Sequence, residues 1–422
     1  MATPLDLRAE AQLDPSLTYP HPRSPHWQHP RQIFLTGATG FLGIYLLAEL
    51  LTQTSAQIYC LVRAENAREG GERLLNLLRR YQIGRGSVAD SRWSQGGLRP
   101  PTSWLSRIQP LVGDLAQPYL GWTESQFHDL GSRLDLIYHS AAGVAVTQTY
   151  EQLKVINVGG TQTLLDLAQR GQTTPFHYIS SLGLFFGQPD PPQGAFRESD
   201  SPEPETVKGG YKQTKVVSEF MVHAAQKQGL PACIHRPGRI LGHSATGIID
   251  LDHNIKDFLF ALLIASVQLQ AYPRVSEAIE AAPVDYFSRA LVHLARQESA
   301  FGCTFHLLNS RPCTWLELVA TTQRLGYPLE GMAAEEWVQL FQDQGKQCLT
   351  APIYQFLEMV IAARGTFLFP PKPAISDDLT APYLESRGNF YPPPALDQRL
   401  LDVYFRYFHR VGAVSQAPLS EF

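Results

Sequence analysis

Ile33-Phe34-Leu35 is a short apolar run that enters a glycine-rich turn, and from Phe41 to Leu51 apolar residues recur at helical spacing. A second apolar run, Gln57 to Val62, follows. Strand, glycine turn, helix and strand form the βαβ plan of a dinucleotide-binding half. Further strand-length runs lie at Ile108 to Val112, Leu134 to His139, Phe176 to Ser180 and Ala232 to His235. Helical patterns separate them, notably Leu153 to Gln169 and Tyr211 to Gln228. This alternation predicts an α/β fold, a Rossmann-type doubly wound parallel sheet.

After Leu241 the rhythm changes. His253 to Gln270, Trp315 to Leu325, Ala333 to Gln344 and Ile353 to Ala363 carry helical patterns, and Ala282 to Gln297 reads as a return to the sheet. Beyond a proline-rich connector, Phe369 to Pro373, a last amphipathic helix is predicted around Leu396 to Phe408. The expected division is a linker over 1–30 and a cofactor domain over 31–245 with a return of 281–312. A smaller, mostly helical C-terminal substrate domain takes 246–280 and 313–422. Phe258 to Leu269 is too short to span a bilayer and predicts a buried or groove-lining helix. Two loops rich in Gly, Pro, Ser and charge, 85–101 and 188–208, are expected to be mobile.

Composition narrows the function. The 422 residues carry a formal charge of −4, which gives no reason to expect a nucleic-acid partner. Cys60, Cys233, Cys303, Cys313 and Cys348 are odd in number and form no Cys-x-x-Cys pair, which predicts reduced thiols in a cytoplasmic protein and no zinc site. The N-terminus lacks the basic-then-apolar plan of a signal peptide. Its Pro- and His-rich stretch holds His21, His26 and His29, read as a solvated linker rather than as metal ligands.

Thr36-Gly37-Ala38-Thr39-Gly40-Phe41-Leu42-Gly43 spaces its glycines so that backbone can turn tightly and approach a pyrophosphate at a helix N-terminus. An acid at the end of the second strand would bind the ribose hydroxyl of NAD. Here Arg63 follows Cys60-Leu61-Val62, which suits a 2′-phosphate and predicts NADPH. Arg73, ten residues on, is placed to close over the same phosphate. Asp114 and Leu115 after Gly113 are expected to meet the adenine, and Ser140-Ala141-Ala142 to let backbone pass under the cofactor.

Tyr211 and Lys215 are four apart at the start of a predicted helix and share one face. A tyrosine can protonate the oxygen of a carbonyl that accepts hydride, if a neighbouring ammonium stabilises its phenolate. The same lysine can hold the nicotinamide ribose. Ser180-Ser181 leaves an earlier strand, and Ser181 is the expected hydroxyl donor to the substrate oxygen because Ser180 should face the sheet. Arg236-Pro237-Gly238-Arg239-Ile240 leaves another strand, with Pro237, Gly238 and Ile240 expected beside the nicotinamide.

Gly37 to Gly43, Cys60 to Arg63, Gly113-Asp114-Leu115, Asn157-Val158-Gly159-Gly160-Thr161, Tyr211 with Lys215, and Arg236-Pro237-Gly238 together resemble the thioester reductase family. These are the terminal reductase domains of nonribosomal peptide and polyketide synthases and of carboxylic acid reductases. The resemblance covers nearly the whole chain. It includes Asp6-Leu7-Arg8-Ala9-Glu10 and Leu13-Asp14-Pro15, similar to the linker after a carrier protein. Pro283-Val284-Asp285-Tyr286 and Leu400 to Phe405 complete it. It implies that NADPH reduces an acyl or peptidyl thioester, held on a carrier protein's phosphopantetheine arm, to an aldehyde or on to an alcohol. Tyr211 and Ser181 would stabilise the oxyanion and Lys215 would position the ribose. Many relatives have Thr at Ser181 and Asn and Pro within 144–150, where the sequence here departs. A monomer is expected, free-standing or excised from a larger synthase.

Three rivals share part of this pattern. A sugar-nucleotide epimerase would share the fold and the Tyr/Lys pair but favour an acid at Arg63. A non-catalytic NADPH-binding module has no need of Tyr211 and Lys215. A thioesterase needs a Gly-x-Ser-x-Gly elbow, and Gly242-His243-Ser244-Ala245-Thr246 lacks the second glycine.

Overall fold

The computed structural model describes residues 5–84, 101–144, 148–251, 257–365, 368–369, 372–386 and 392–415. Seven parallel strands make one sheet: β1 (Gln32–Thr36), β2 (Gln57–Val62), β3 (Ile108–Val112), β4 (Leu136–His139), β5 (Phe176–Ile179), β6 (Ala232–Pro237) and Thr304–Leu307. Their spatial order is Thr304–Leu307, β6, β5, β4, β1, β2, β3. The winding therefore reverses between β1 and β4, which pair from Ile33↔Leu136 to Thr36↔His139. In such a sheet, ligands bind outside the strand carboxyl ends at that reversal. Ile33, Phe34 and Leu35 are wholly buried, as a strand covered on both faces requires.

Helices fill the crossovers. Along the first part of the chain they are α1 (Leu7–Glu10), α2 (Phe41–Gln53), α3 (Ala67–Arg80), α4 (Thr102–Leu105), α5 (Glu124–Gly131), α6 (Tyr150–Lys154), α7 (Gly160–Leu167) and α8 (Gly210–Lys227). A π-helical turn, Val155–Gly159, joins α6 to α7. Later come α9 (Phe258–Leu269), α10 (Val284–Ala295), α11 (Trp315–Arg324), α12 (Ala334–Cys348), α13 (Ala351–Arg364), α14 (Thr380–Glu385) and α15 (Gln398–Arg410). No helix among the described residues is long and apolar enough to cross a membrane.

Contacts divide the chain into two units. The sheet unit is Met1–Pro237 with Ser288–Leu307 and Pro373–Phe390; the other is Gly238–Phe287 with Leu308–Lys372 and Tyr391–Phe422. The boundary lies at Pro237 rather than near 245, and the sheet unit reclaims a late segment that its sequence had not distinguished from the helical region. In the helical unit, β7 (Arg239–Leu241) pairs with Ala281–Pro283. Phe260 packs edge-on to Tyr404 and Phe408, with centroids 4.7 and 5.3 Å away. Along α9 every residue except Gln268 is buried, so it is a core helix of its unit.

Two expectations about loops are corrected. The N-terminal stretch is not a free linker: Leu7, Leu17 and Tyr19 join the core cluster of the sheet unit. Ser24 donates to Asp135 at 2.6 Å, and Trp27 is buried. The 188–208 loop is anchored rather than loose. The buried Glu198 carboxylate accepts from the amides of Leu379 and Thr380 at 3.1 and 2.8 Å, at the start of α14. Most of the 85–101 loop lies outside the described residues.

Candidate active site

The glycine turn closes on the reversal point. Gly37 has φ of +79°, and a side chain there would strike the backbone of Ser140 and Ala141. A Cβ on Gly43 would overlap the Gly37 carbonyl. The Gly40 amide donates to that carbonyl at 2.8 Å. Gly40 then opens α2 with no side-chain cap and no acid in the first turn. The helix therefore presents free amides and the positive end of its dipole, an anion-binding arrangement. Thr36 Oγ1 lies 2.8 Å from His139 Nδ1 and accepts the Ala141 amide at 3.2 Å, tying β1 to β4. Thr39, Phe41 and Leu42 are partly exposed around the turn, as are Ser140, Ala141 and Ala142 at the end of β4.

At the end of β2, Arg63 is exposed and the Arg73 guanidinium donates to its carbonyl at 3.1 Å. The two arginines share one strand end because α3 turns Arg73 back over it. After β3, Asp114 forms an Asx turn, its carboxylate accepting the Ala116 amide at 3.0 Å. Leu115 is buried, its side chain packed against Gly160.

Tyr211 and Lys215 lie one turn apart on α8. The helix starts at Gly210, where a side chain would meet the backbone of Gln148, Thr149 and Tyr150. Gly209, at φ of +92°, supplies the turn into it. Lys215 is buried; its ammonium donates to the Ile179 carbonyl at 2.6 Å and lies 4.5 Å from the Tyr178 ring centre. Burial pushes its pKa down to about 7, against the pull of Glu219. Burial pushes the Tyr211 phenol up to about 12. Its hydroxyl has no hydrogen-bond partner among the described residues.

Ser180 is buried and Ser181 is partly exposed. Ser181 Oγ accepts the Gly183 amide at 3.0 Å, capping the short 3₁₀ turn Leu182–Phe185. An oxygen that accepts still has its own proton to donate. Ser181 and the Lys215 anchor thus share the end of β5. Pro237 ends β6 in the sheet unit, whereas Gly238 and Ile240 belong to the helical unit, Ile240 opposite Ala282.

Asn157 and Thr161 entered the sequence reading only as part of a motif, with no role, and His139 and Thr214 were not singled out at all. Asn157, in the π-helical turn, donates to Thr214 Oγ1 at 2.9 Å and accepts the Gly143 amide at 2.7 Å. His139 Nε2 lies 3.1 Å from Thr161 Oγ1. Burial, helped by the Lys215 charge, holds that imidazole neutral. This network joins the loop after β4 to α8 just below Lys215. An asparagine within an otherwise apolar helical stretch was the available signal. In the core, His177 Nδ1 and His235 Nε2 lie 3.2 Å apart beside Cys233, which donates to the Ala300 carbonyl.

Residues 35–291 match the male sterility protein family of NAD-binding domains. A component of the linear gramicidin synthase of Brevibacillus parabrevis is 35% identical over 81% of this chain, which spans 6% of that protein. Glycine betaine reductase ATRR of Emericella nidulans is 32% identical over 93% of the chain, which spans 29% of it. The crystal structure of the terminal R domain from the myxalamid PKS-NRPS biosynthetic pathway superposes with a TM-score of 0.85 at 31% identity, covering 98% of this chain and 99% of that one. The glycine cradle, the Tyr/Lys helix and this end-to-end likeness agree: the chain belongs to the thioester reductase family, the terminal reductase domains of nonribosomal peptide and polyketide synthases.

Proposed function

We propose that the chain reduces an acyl or peptidyl thioester, presented on the phosphopantetheine arm of a carrier protein, to an aldehyde with NADPH, and that a second round can give the alcohol. The observation that carries this reading is the shared end of β5. Lys215 is locked to the Ile179 carbonyl at 2.6 Å, two residues before the Ser181 donor, with Tyr211 one turn away on the same helix.

The residues present suit NADPH. The cradle from Thr36 through Gly37, Thr39, Gly40, Phe41, Leu42 and Gly43 is assigned to the pyrophosphate, and its tight backbone holds only while Gly37 and Gly43 lack side chains. Arg63 and Arg73 offer guanidiniums for a 2′-phosphate, Asp114 and Leu115 border the adenine, and Ser140, Ala141 and Ala142 give close backbone. Pro237, Gly238 and Ile240 are assigned to the nicotinamide end. When bound, the cofactor supplies the hydride. Tyr211 and Ser181 donate hydrogen bonds to the thioester oxygen as negative charge develops on it. Burial opposes ionisation of Tyr211, so the Lys215 charge has to bring its phenolate within reach while holding the ribose. Collapse of the resulting hemithioacetal expels the thiol of the arm and frees the aldehyde. The helical unit is assigned to recognition of the arm and carrier. We assign the chain to the cytoplasm, in accord with its free cysteines, and as a monomer.

The test follows NADPH oxidation with an acyl-phosphopantetheine thioester and traps the aldehyde. Thioester cleavage without NADPH oxidation would overturn the reading in favour of hydrolysis.

A further inference from the structure

Lys215 is an ammonium taken out of water, and its hydrogen bond among the described residues goes to a backbone carbonyl, that of Ile179. Glu219, one turn on along α8, pairs with Arg236 at 2.7 Å. The nearer neighbours on the other elements are neutral. Burial keeps Tyr178 of β5 a phenol and His139 of β4 an uncharged imidazole, and Tyr211 is pushed up to about 12. The π-helical turn and α7 contribute Asn157 and Thr161. Farther out, Arg8 of α1 lies over the Phe220 ring of α8, and Lys154 of α6 is paired with Glu10.

The group that meets the ammonium most directly, besides that carbonyl, is the Tyr178 ring. It is wholly buried, and its centre lies 4.5 Å from Lys215 Nζ. That is inside the roughly 6 Å over which an aromatic face attracts a cation, and the attraction is strongest where water is excluded. Tyr178 and Ile179 are consecutive on β5, so one strand offers the ammonium both an aromatic face and an oxygen. Pairing of Tyr178 with Ile234 and of Ile179 with His235 fixes that strand end in the sheet. The ring is held as well: the His139 ring centre lies 5.5 Å away, and the Tyr178 hydroxyl lies toward Ser218 and Thr161, whose own hydroxyls are 3.3 Å apart.

We propose that Tyr178 is a positioning residue for Lys215, the face of its ring holding the ammonium, charged, against the end of β5. The inference rests on the reading of Lys215 given above and adds a residue that acts through it rather than on the substrate.

The experiment titrates NADPH binding to the full chain against pH, without substrate, by the fluorescence of the nicotinamide. Binding to the unaltered chain should weaken as pH rises and Lys215 loses its proton. Lys215→Met should abolish that fall, which identifies the titrating group. Tyr178→Leu removes the ring face and disfavours the charged form, so the fall should move to lower pH by about one unit or more. Tyr178→Phe keeps the face and should leave the fall in place. During thioester reduction, kcat/KM for NADPH should show the same contrast between the two variants. Thermal melts identify folded variants. If Tyr178→Leu does not fold, Tyr178→Phe with a fluorinated ring decides, because fluorine withdraws negative charge from the ring face at nearly constant shape and should reproduce the shift. A fall that stays in place without the aromatic face means that the ring only fills the core, and overturns the proposal. So does a fall that survives in Lys215→Met, or its absence from the unaltered chain. Failure of the unaltered chain to reduce a thioester overturns the functional reading alone, since the binding titration still decides the role of Tyr178.

Discussion

Arg236 grips Glu219 through two parallel hydrogen bonds, Nε to Oε1 at 3.0 Å and Nη2 to Oε2 at 2.7 Å, with both side chains almost wholly buried. The pair fastens β6 to α8, the helix that carries Tyr211 and Lys215. Its remaining nitrogen, Nη1, reaches the Asp200 carbonyl at 2.9 Å and His306 Nε2 at 3.0 Å, which pins the loop before α8 as well. Burial works against the Glu219 charge, but Arg236 and Ser180 hold its pKa below the ordinary carboxylate value.

Arg236→Met strands a buried carboxylate and should cost about 3–5 kcal/mol in urea denaturation. Pairing it with Glu219→Leu should recover most of that loss, because the cost comes from the uncompensated charge. A single variant within about 0.5 kcal/mol of the unaltered chain would show that the pair carries little of the fold.

Arg63→Ala should weaken NADPH by roughly ten- to a hundredfold while barely altering NADH. Arg73→Ala should act in the same direction but less, since Arg73 also supports the Arg63 backbone. Binding titrations with both cofactors check this. Equal affinity of the unaltered chain for the two would sink the assignment.

Tyr211→Phe keeps the ring and removes the proton, so the chemical step should slow by roughly a hundredfold or more. NADPH binding should hardly change. Lys215→Ala should damage both binding and turnover. Single-turnover kinetics separate the two effects, and an unchanged rate in Tyr211→Phe would refute the mechanism.

Lys215 titrates at about 7 in the folded chain against an ordinary 10.5. Between those values the unfolded chain binds the extra proton, so this group's contribution to stability rises with pH and its penalty is complete below about pH 7. Lys215→Met should therefore raise the melting temperature more at about pH 6 than at about pH 9. A gain independent of pH would mean that the lysine is not buried as described.

The sequence by itself determined whatever depends on near neighbours along the chain. Apolar runs at strand length and helical spacing located β1 to β6, α2, the stretch that holds α6 and α7, and α8, because burial of a face imposes its period on consecutive residues. The glycine turn was legible because Gly37 and Gly43 act through backbone that only a missing Cβ permits. Tyr211 and Lys215 were legible because one helical turn fixes their common face. Only the tertiary structure decided what depends on distant partners. The strand Thr304–Leu307 is four residues of mixed polarity, and it becomes a strand by pairing with β6 from Thr304↔Ile234 onward. The N-terminal stretch, rich in proline and histidine, is ordered by Asp135 and a core it meets more than a hundred residues later. Glu198 needed the start of α14, Arg236 needed Glu219, and Asn157 needed Thr214. In each case a polar group was buried where only one far-off partner could satisfy it, and spacing along the chain carries no record of that partner.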